Sequence, residues 1–460
     1  MSKSDKASNG RKKFRRKTPV QNIMQEPPDD VIMYYDERDS SFWLDLNGRF
    51  ISPTSGNLTL LLKGKGLSDN VAFKGISQID WPLYFAMQKR LVDYAGPLAG
   101  HRTGITSDGS GRKYLVVNEA KGIWENEKND KPKFFPAFIE ELLTGDQSFF
   151  YCHWLASGLR SMRAQDFGLG QVCILAGEAQ CGKSLLQQIT TEIFGGRVCN
   201  PFEYLMGTEK FNKEVIGAEH WQIEDPPTTT DTRTRAFFGN RLKEATVNSH
   251  VRVRAMHKDA SYLKIFRRVT ISVNDEPHNL AVCPPMDDSL IDKIFLFRCA
   301  KVTEAFAPYR LASGELNRAA LQAAFTDEIP AVRAWLLKNF RRESIPKNLR
   351  DDRFQIKAWQ HPDLMAELSA MSKENRLLDI MAQAFDADEI IDGKAGELET
   401  RLSKSSVGEQ FKKLISWPNE FASLLGKLHK SHPDRVSKRV SGGYTTWTIH
   451  PPKQNEQEEK

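Results

Sequence analysis

The stretch "QVCILAGEAQCGKSLLQQITTEIF", Gln171–Phe194, decides the fold. Its first part is a short apolar run ending at Gly177. Gly177, Gly182, Lys183 and Ser184 then fill the pattern G-x-x-x-x-G-K-[ST], and "SLLQQITTEIF" carries apolar residues at helical spacing. A strand, a glycine-bearing loop and a helix in that order are the context in which this pattern holds a nucleotide. The loop amides and the helix N-terminus cradle phosphates. Lys183 is expected to reach the β and γ phosphates, and the Ser184 hydroxyl to hold Mg²⁺.

Turnover needs acids at the end of a neighbouring strand. "EHWQIEDPP" supplies Glu224 and Asp225 at the close of an apolar run. One carboxylate can hold Mg²⁺ through water while the other orients the attacking water. By itself the stretch reads as an acidic turn before two prolines; its spacing from the phosphate loop favours the site. Further on, "RVTISVNDEP" is an apolar strand ending at Asn274, a neutral amide suited to the attacking water or the γ-phosphate. Between acids and asparagine, "NRLKEATVNSHVRVRAMHKDASYLKIFRR" reads as a helix and then a hairpin. Its strands "VRVRAM" and "SYLKIF" flank a polar tip displaying His257 and Lys258.

This ordered set resembles the superfamily III helicases, AAA+ motors of small DNA viruses, phages and plasmids, and most of all the helicase part of phage and plasmid primase-helicases. The motif-bearing resemblance covers about Gln171 to Phe297, with "AGPLAGHRTG" and "IPAVRAWLL" as less specific flanking similarities. It implies an α/β fold with a P-loop AAA+ ATPase core. Gly177, Gly182, Lys183 and Ser184 would bind ATP, Ser184 and Glu224 would hold Mg²⁺, Glu224 and Asp225 would be the catalytic acids, and Asn274 the sensor. His257 and Lys258 would contact DNA in the central channel of a homo-hexamer. Such helicases place an arginine after the sensor strand that acts on the neighbouring subunit's nucleotide. Here "DDSLIDKIFLFR" has Lys293 at the aligned position, with Arg298 as the reserve and Arg267 and Arg268 ahead of the sensor strand. Lysine supplies charge without the planar fork of arginine.

The rest of the 460-residue chain divides by composition. Residues 1–30 read as a disordered basic arm containing "RKKFRRK", and residues 31–131 as an α+β domain of unassigned role. Its "DERD", Asp36–Asp39, is the nearest approach to a metal-binding carboxylate pair and reads better as a turn. The ATPase domain with its preceding helices occupies 132–340, a helical linker 341–385, and a winged helix 386–450, before a short disordered tail at 451–460. The winged helix rests on three helix patterns and two strands around Gly442-Gly443. Lys427, Lys430, Lys438 and Arg439 form its expected DNA-contacting cluster, and Trp417 and Trp447 are expected in its core. His153, beside Cys152 on an apolar helix, reads as a packed histidine rather than a metal ligand.

Composition sets bounds on function. No apolar run approaches the roughly 20 residues of a membrane-spanning helix. The six cysteines form no C-x-x-C pair and suggest neither zinc nor a disulfide framework. A cytoplasmic location, in a bacterial cell or a phage-infected host, fits. A net charge of +6 is weak evidence for a polyanionic partner. The expected function is ATP-dependent unwinding of DNA, single-stranded or forked, in replication of a mobile element, with other replication proteins as possible partners. The alternative is a DNA-bound initiator or helicase-loading ATPase that does not itself unwind. A small-molecule P-loop kinase is disfavoured because no substrate lid is apparent.

Overall fold

The computed structural model describes residues 26–125, 131–209, 213–227, 232–253, 261–385, 389–415 and 417–451. By internal contacts the chain forms two units. One comprises residues up to Ala95 together with Gly104–Leu115, the other Gly96–Thr103 together with the residues from Val116 onward. In the first unit, strands Met33–Asp36, Ser41–Leu46 and Arg49–Ile51 form an antiparallel meander, with Leu91–Val92 parallel to the first of them. Met33, Leu44, Leu58, Leu62 and Ala86 build its core under two helices, Ser55–Gly64 and Asp80–Lys89. Asp36 ends its strand, and the turn the sequence suggests follows at residues 37–40. Its carboxylate accepts from the amides of Arg38 and Asp39 on one oxygen and of Ala95 on the other.

The second unit contains a core built on a parallel sheet. Its strands are β1 (Val172–Gly177), β2 (Val198–Cys199), β3 (His220–Glu224), β4 (His250–Val253), β5 (Ser261–Lys264), β6 (Arg268–Val273) and β7 (Ile294–Cys299). Five of them form one parallel sheet in the order β2-β3-β6-β1-β7, while β4 and β5 pair with each other as an antiparallel hairpin. Because the sheet is parallel, Gly177, Glu224, Val273 and Cys299 all end at the same edge. Helices α1 (Phe134–Leu142), α2 (Gln147–Arg163), α3 (Lys183–Ile193), α4 (Thr232–Val247) and α5 (Arg318–Asn339) accompany it. Every residue of β1 and β6 is buried, as sheet strands covered on both faces require. Phe135, Leu142, Tyr151, Leu155, Leu186, Phe295, Phe325 and Leu336 lie in one continuous core.

The two flanking similarities turn out to be braces for this core. In "AGPLAGHRTG", the Ala99 amide donates to Ile216 O, and Ala99 O accepts from the Phe266 amide. Gly100 has φ +81°, and a Cβ there would stand 2.4 Å from Phe266 Cβ. In "IPAVRAWLL", Arg333 on α5 donates to Ile193 O at 2.9 Å and Glu192 O at 2.6 Å. It therefore satisfies the orphan carbonyls at the C-terminal end of α3 and opposes the negative end of that helix.

Toward the C-terminus come α6 (Pro362–Ala370), α7 (Lys373–Ala384), β8 (Ile391–Gly393), α8 (Ala395–Ser403), α9 (Gly408–Leu414), α10 (Glu420–Ser431), β9 (Val436–Ser441) and β10 (Tyr444–Ile449). The last two strands make the expected hairpin around Gly442 and Gly443, both at positive φ. β8 adds a third strand beside β10, which the sequence pattern did not reveal. The stretch read as one linker is two helices: Ser372 ends the first and caps the second, accepting from the Asn375 amide. Leu377, Ile380 and Met381 of α7 pack into the same core as Leu398, Phe411, Phe421, Leu428 and Trp447. Trp417, expected inside, is 42% exposed, because it precedes α10 in a turn rather than lying on a packed helix face. Among the described residues no helix is long and apolar enough to cross a membrane.

Candidate nucleotide site

The loop between β1 and α3 is shaped by close approach. A Cβ at Gly177 would stand 2.6 Å from Cys299 O, and Gly182 has φ +128° at the N-cap of α3. Glu178, Ala179 and Gln180 are exposed, and α3 has neither an acidic residue in its first turn nor a side-chain bond at its N-cap. Lys183 is buried and folds back on the loop, donating to Gly177 O at 2.7 Å and Glu178 O at 2.8 Å. Its Nζ also donates to Asn274 Oδ1 at 3.3 Å. Ser184, next in the first turn of α3, is exposed.

Asn274 stands where it does because it follows β6 directly, and β6 pairs with β1 in parallel register. Glu224 ends β3 opposite Ser272, two residues before the asparagine, and accepts from Gln222 Nε2 at 2.5 Å. Asp225 follows at φ +37°, an uncommon conformation for a residue with a side chain, and its amide donates to Ser272 O. Both carboxylates are exposed at the sheet edge.

The scaffold beneath is cross-tied. Gln187 on α3 donates to Ile223 O and to Thr270 Oγ1 on β6. His220 bridges Thr191 and Thr270 through its two ring nitrogens, and burial pushes its pKa down to about 3, so the ring is neutral. α3, β3 and β6 are thus joined in their interior by neutral groups, which fixes the spacing between the phosphate loop and the acids.

The remaining basic candidates fall in different places. Lys293 is 6% exposed and paired with Asp292 at the start of β7, the opposite end of the sheet from Gly177. The exposed partner at Asp292 is Arg353, at 3.8 Å, from the short hairpin of Arg350–Asp351 and Gln355–Ile356. Arg267 and Arg268 are buried core cations. Arg267 donates to the carbonyls of Ala245 and Asn248, and Arg268 to those of Gly168 and Arg267. Burial lowers the pKa of each to about 10. Arg298 lies at the phosphate-loop edge, paired with Asp275, Asp363 and Glu367 at 3.3–3.8 Å. It lines a cavity of about 310 Å³ with Thr144, Glu178, Asp275, Lys301 and His361. Nothing in the sequence announced this cluster, since α6 lies more than sixty residues beyond β7.

For DNA contact, the hairpin β4–β5 is present with His250 opposite Lys264, while His257 and Lys258 lie outside the described residues. In the C-terminal region, Lys430, Lys438 and Arg439 are exposed, whereas Lys427 pairs with Glu374 at 2.8 Å. His153 is buried between Phe149 and Phe340, and neither ring nitrogen has a hydrogen-bond partner. Among the described residues no cluster of three or more His, Cys, Asp or Glu side chains could hold a metal ion.

No protein-family model matches the chain, and no curated protein does. Among solved structures it is similar to the apo C-terminal region of NrS-1, at 12% identity over 92% of this chain and 97% of that one, with a TM-score of 0.52. A second structure of that region, residues 305–718, gives 13% identity, 92% and 96% coverage and 0.52. SCCmec type IV Cch, described as an active helicase, aligns at 11% identity over 91% and 93% of the two chains, with a TM-score of 0.38. The chain shares its fold with the C-terminal region of NrS-1.

Proposed function

We propose that this protein is an ATP-dependent DNA helicase that serves replication of a phage, plasmid or other mobile element and works as a ring. One observation carries the reading: Lys183 opens α3 just after β1, Asn274 follows β6 and bonds that lysine, and Glu224 and Asp225 close β3 at the same edge of one parallel sheet. The residues fit a nucleotide with Mg²⁺. Gly177 lets the loop pack closely on Cys299, and Gly182 supplies the positive φ that turns the chain into α3. The amides of the first turn of α3 would receive phosphates, and Ser184 and Glu224 would hold the metal. Bound Mg²⁺ would neutralise charge developing on the phosphates. Lys183 would turn from the carbonyls of Gly177 and Glu178 toward the β and γ phosphates. Asp225 would take the proton of the attacking water, and Asn274, already bonded to Lys183, would sense the terminal phosphate.

The hairpin β4–β5 lies in sequence between the acids and the sensor strand, so nucleotide state can move it. Its tip residues His257 and Lys258 would meet the backbone of a threaded strand. The C-terminal helices and hairpin form a winged helix, in which Lys430, Lys438 and Arg439 would add DNA contacts. Lys427 contributes less, being neutralised by Glu374. With Lys293 buried, exposed Arg353 beside it is the better candidate to act on a neighbouring subunit's nucleotide.

The test is strand displacement from a forked duplex with ATP and Mg²⁺, with Lys258→Ala alongside wild type. The wild type should unwind. Lys258→Ala should keep its fold and basal ATP hydrolysis but lose unwinding, and its single-strand binding should depend less on salt. ATP hydrolysis and DNA binding without displacement would support the initiator or loader instead. Wild-type unwinding by Lys258→Ala would move the main DNA contact to the winged helix.

A further inference from the structure

Two cysteines that sequence reading left scattered come together in the phosphate loop. Cys181 is the residue before Gly182, and Cys299 is the last residue of β7, in register with Gly177. Both are buried, at 1% and 5% exposure. Lys183 Nζ lies 3.8 Å from the Cys181 sulfur. The two cysteines flank Gly177 closely: a Cβ there would stand 2.9 Å from Cys299 Cβ and 3.2 Å from Cys181 Sγ. The neighbouring Cys299 thiol is the largest influence drawing the Cys181 pKa down, to about 6, with Lys183 adding to it; burial and the neighbouring Cys181 hold Cys299 well above the usual thiol range. Two cysteines from distant parts of the chain thus stand side by side at Gly177, one of them beside a lysine ammonium, the neighbourhood a redox-sensing pair needs. Cys152, Cys199 and Cys283 are buried with their pKa values raised by desolvation, so they are inert by comparison.

We propose that Cys181 and Cys299 are a reversible oxidation site at which a peroxide shuts the nucleotide site by joining the phosphate loop to the end of β7. The Cys181 thiolate attacks one oxygen of hydrogen peroxide and the O–O bond breaks. The departing hydroxide takes the proton that Cys181 gave up on ionising and leaves as water, and Cys181 becomes a sulfenic acid. The Cys299 sulfur then attacks the Cys181 sulfur. The S–S bond forms, the S–O bond breaks, and the hydroxide takes the Cys299 proton as a second water. Two thiols thus lose two electrons to one peroxide. Glu178, Ala179 and Gln180, directly before Cys181, are exposed, and peroxide would reach the buried thiol from that side. Cys181 is two residues from Lys183, so the disulfide holds that lysine against the loop carbonyls, where it cannot swing to a phosphate. A dithiol reductant reverses the state by exchange.

This inference rests on the nucleotide-site reading, and its test separates the two. The full-length protein is treated with hydrogen peroxide and digested without reduction. Peptides are mapped by mass, and binding of a fluorescent ATP analogue is measured before oxidation, after it, and after dithiothreitol. The expected result is a Cys181–Cys299 linked peptide two hydrogens lighter than its parts. Analogue affinity should fall at least tenfold, recover with dithiothreitol, and resist peroxide in Cys299→Ser. The proposal is overturned if the linked peptide does not form, if it forms while binding is unchanged, or if Cys299→Ser loses binding to peroxide as wild type does. Should Cys299→Ser fold poorly, the peptide map and the dithiothreitol reversal on wild type decide. If the reduced wild type binds no more analogue than Lys183→Ala, the nucleotide reading fails and the shut-off falls with it, while the peptide map still judges the thiol pair.

Discussion

The two ends of the central sheet carry similar numbers of charged side chains and treat them in opposite ways. At the carboxyl edge, Glu178, Glu224 and Asp225 are exposed and Arg298 is half-buried beside a cavity. At the amino edge, Glu219, Arg267, Arg268 and Lys293 are buried. Glu219 pairs with Arg197 and receives the Gly100 amide, and the two arginines spend their donors on main-chain carbonyls. A buried charge survives when its partners are fixed, and a fixed charge has little left for a ligand. The carboxyl edge therefore keeps its acids Glu178, Glu224 and Asp225 exposed while Lys183 there is held on loop carbonyls, and the amino edge uses its charges to hold loops to the sheet.

Substitutions can break this contrast. The largest effect belongs to Lys183→Ala: ATP hydrolysis and unwinding should fall to background while thermal stability stays near wild type, checked by phosphate release and a melting curve. Hydrolysis within a few-fold of wild type would remove the site as drawn. Asp225→Asn should stop turnover yet leave ATP-analogue affinity within a few-fold, because the amide keeps the shape and cannot take a proton. Loss of affinity instead would assign Asp225 to the metal or the fold.

At the amino edge the effect should be on stability. Arg268→Ala removes a fully buried side chain and leaves the Gly168 and Arg267 carbonyls without their donor, which should cost about 3 kcal/mol in denaturant unfolding. The surviving folded protein should bind the ATP analogue normally. A selective loss of nucleotide binding at full stability would erase the distinction between the two edges. The smallest effect sharpens it. His153→Leu replaces a buried ring with two unpartnered nitrogens by an apolar group of similar size, so stability should rise by about 1 kcal/mol with hydrolysis unchanged. A loss of activity would give His153 a role its packing does not suggest.

Much of the site was legible in the chain because its parts are local. The phosphate loop is one contiguous stretch whose residue types report what its backbone does. Glu224 and Asn274 each end an apolar run, so a strand pattern places them at an edge without knowledge of its neighbours. The hairpin β4–β5 and the three C-terminal helices follow from periodicity in the same way. Lys293 shows the limit: its alignment with an expected arginine is a sequence fact, but its burial against Asp292 depends on how β7 packs.

The sequence by itself determined the elements, their order and the chemistry offered at the ends of β1, β3 and β6, because hydrophobic period and loop composition act over a few residues. Only the tertiary structure decided which distant groups meet. The strand order β2-β3-β6-β1-β7 brings Asn274 to Lys183 and Cys299 to Cys181. The same packing carries Arg333 to the end of α3 and α6 to Arg298. It also leaves Trp417 exposed while Trp447 is buried, although both were expected in the core. Such contacts arise from filling one common core, a property of the whole packed chain that no short window of residues encodes.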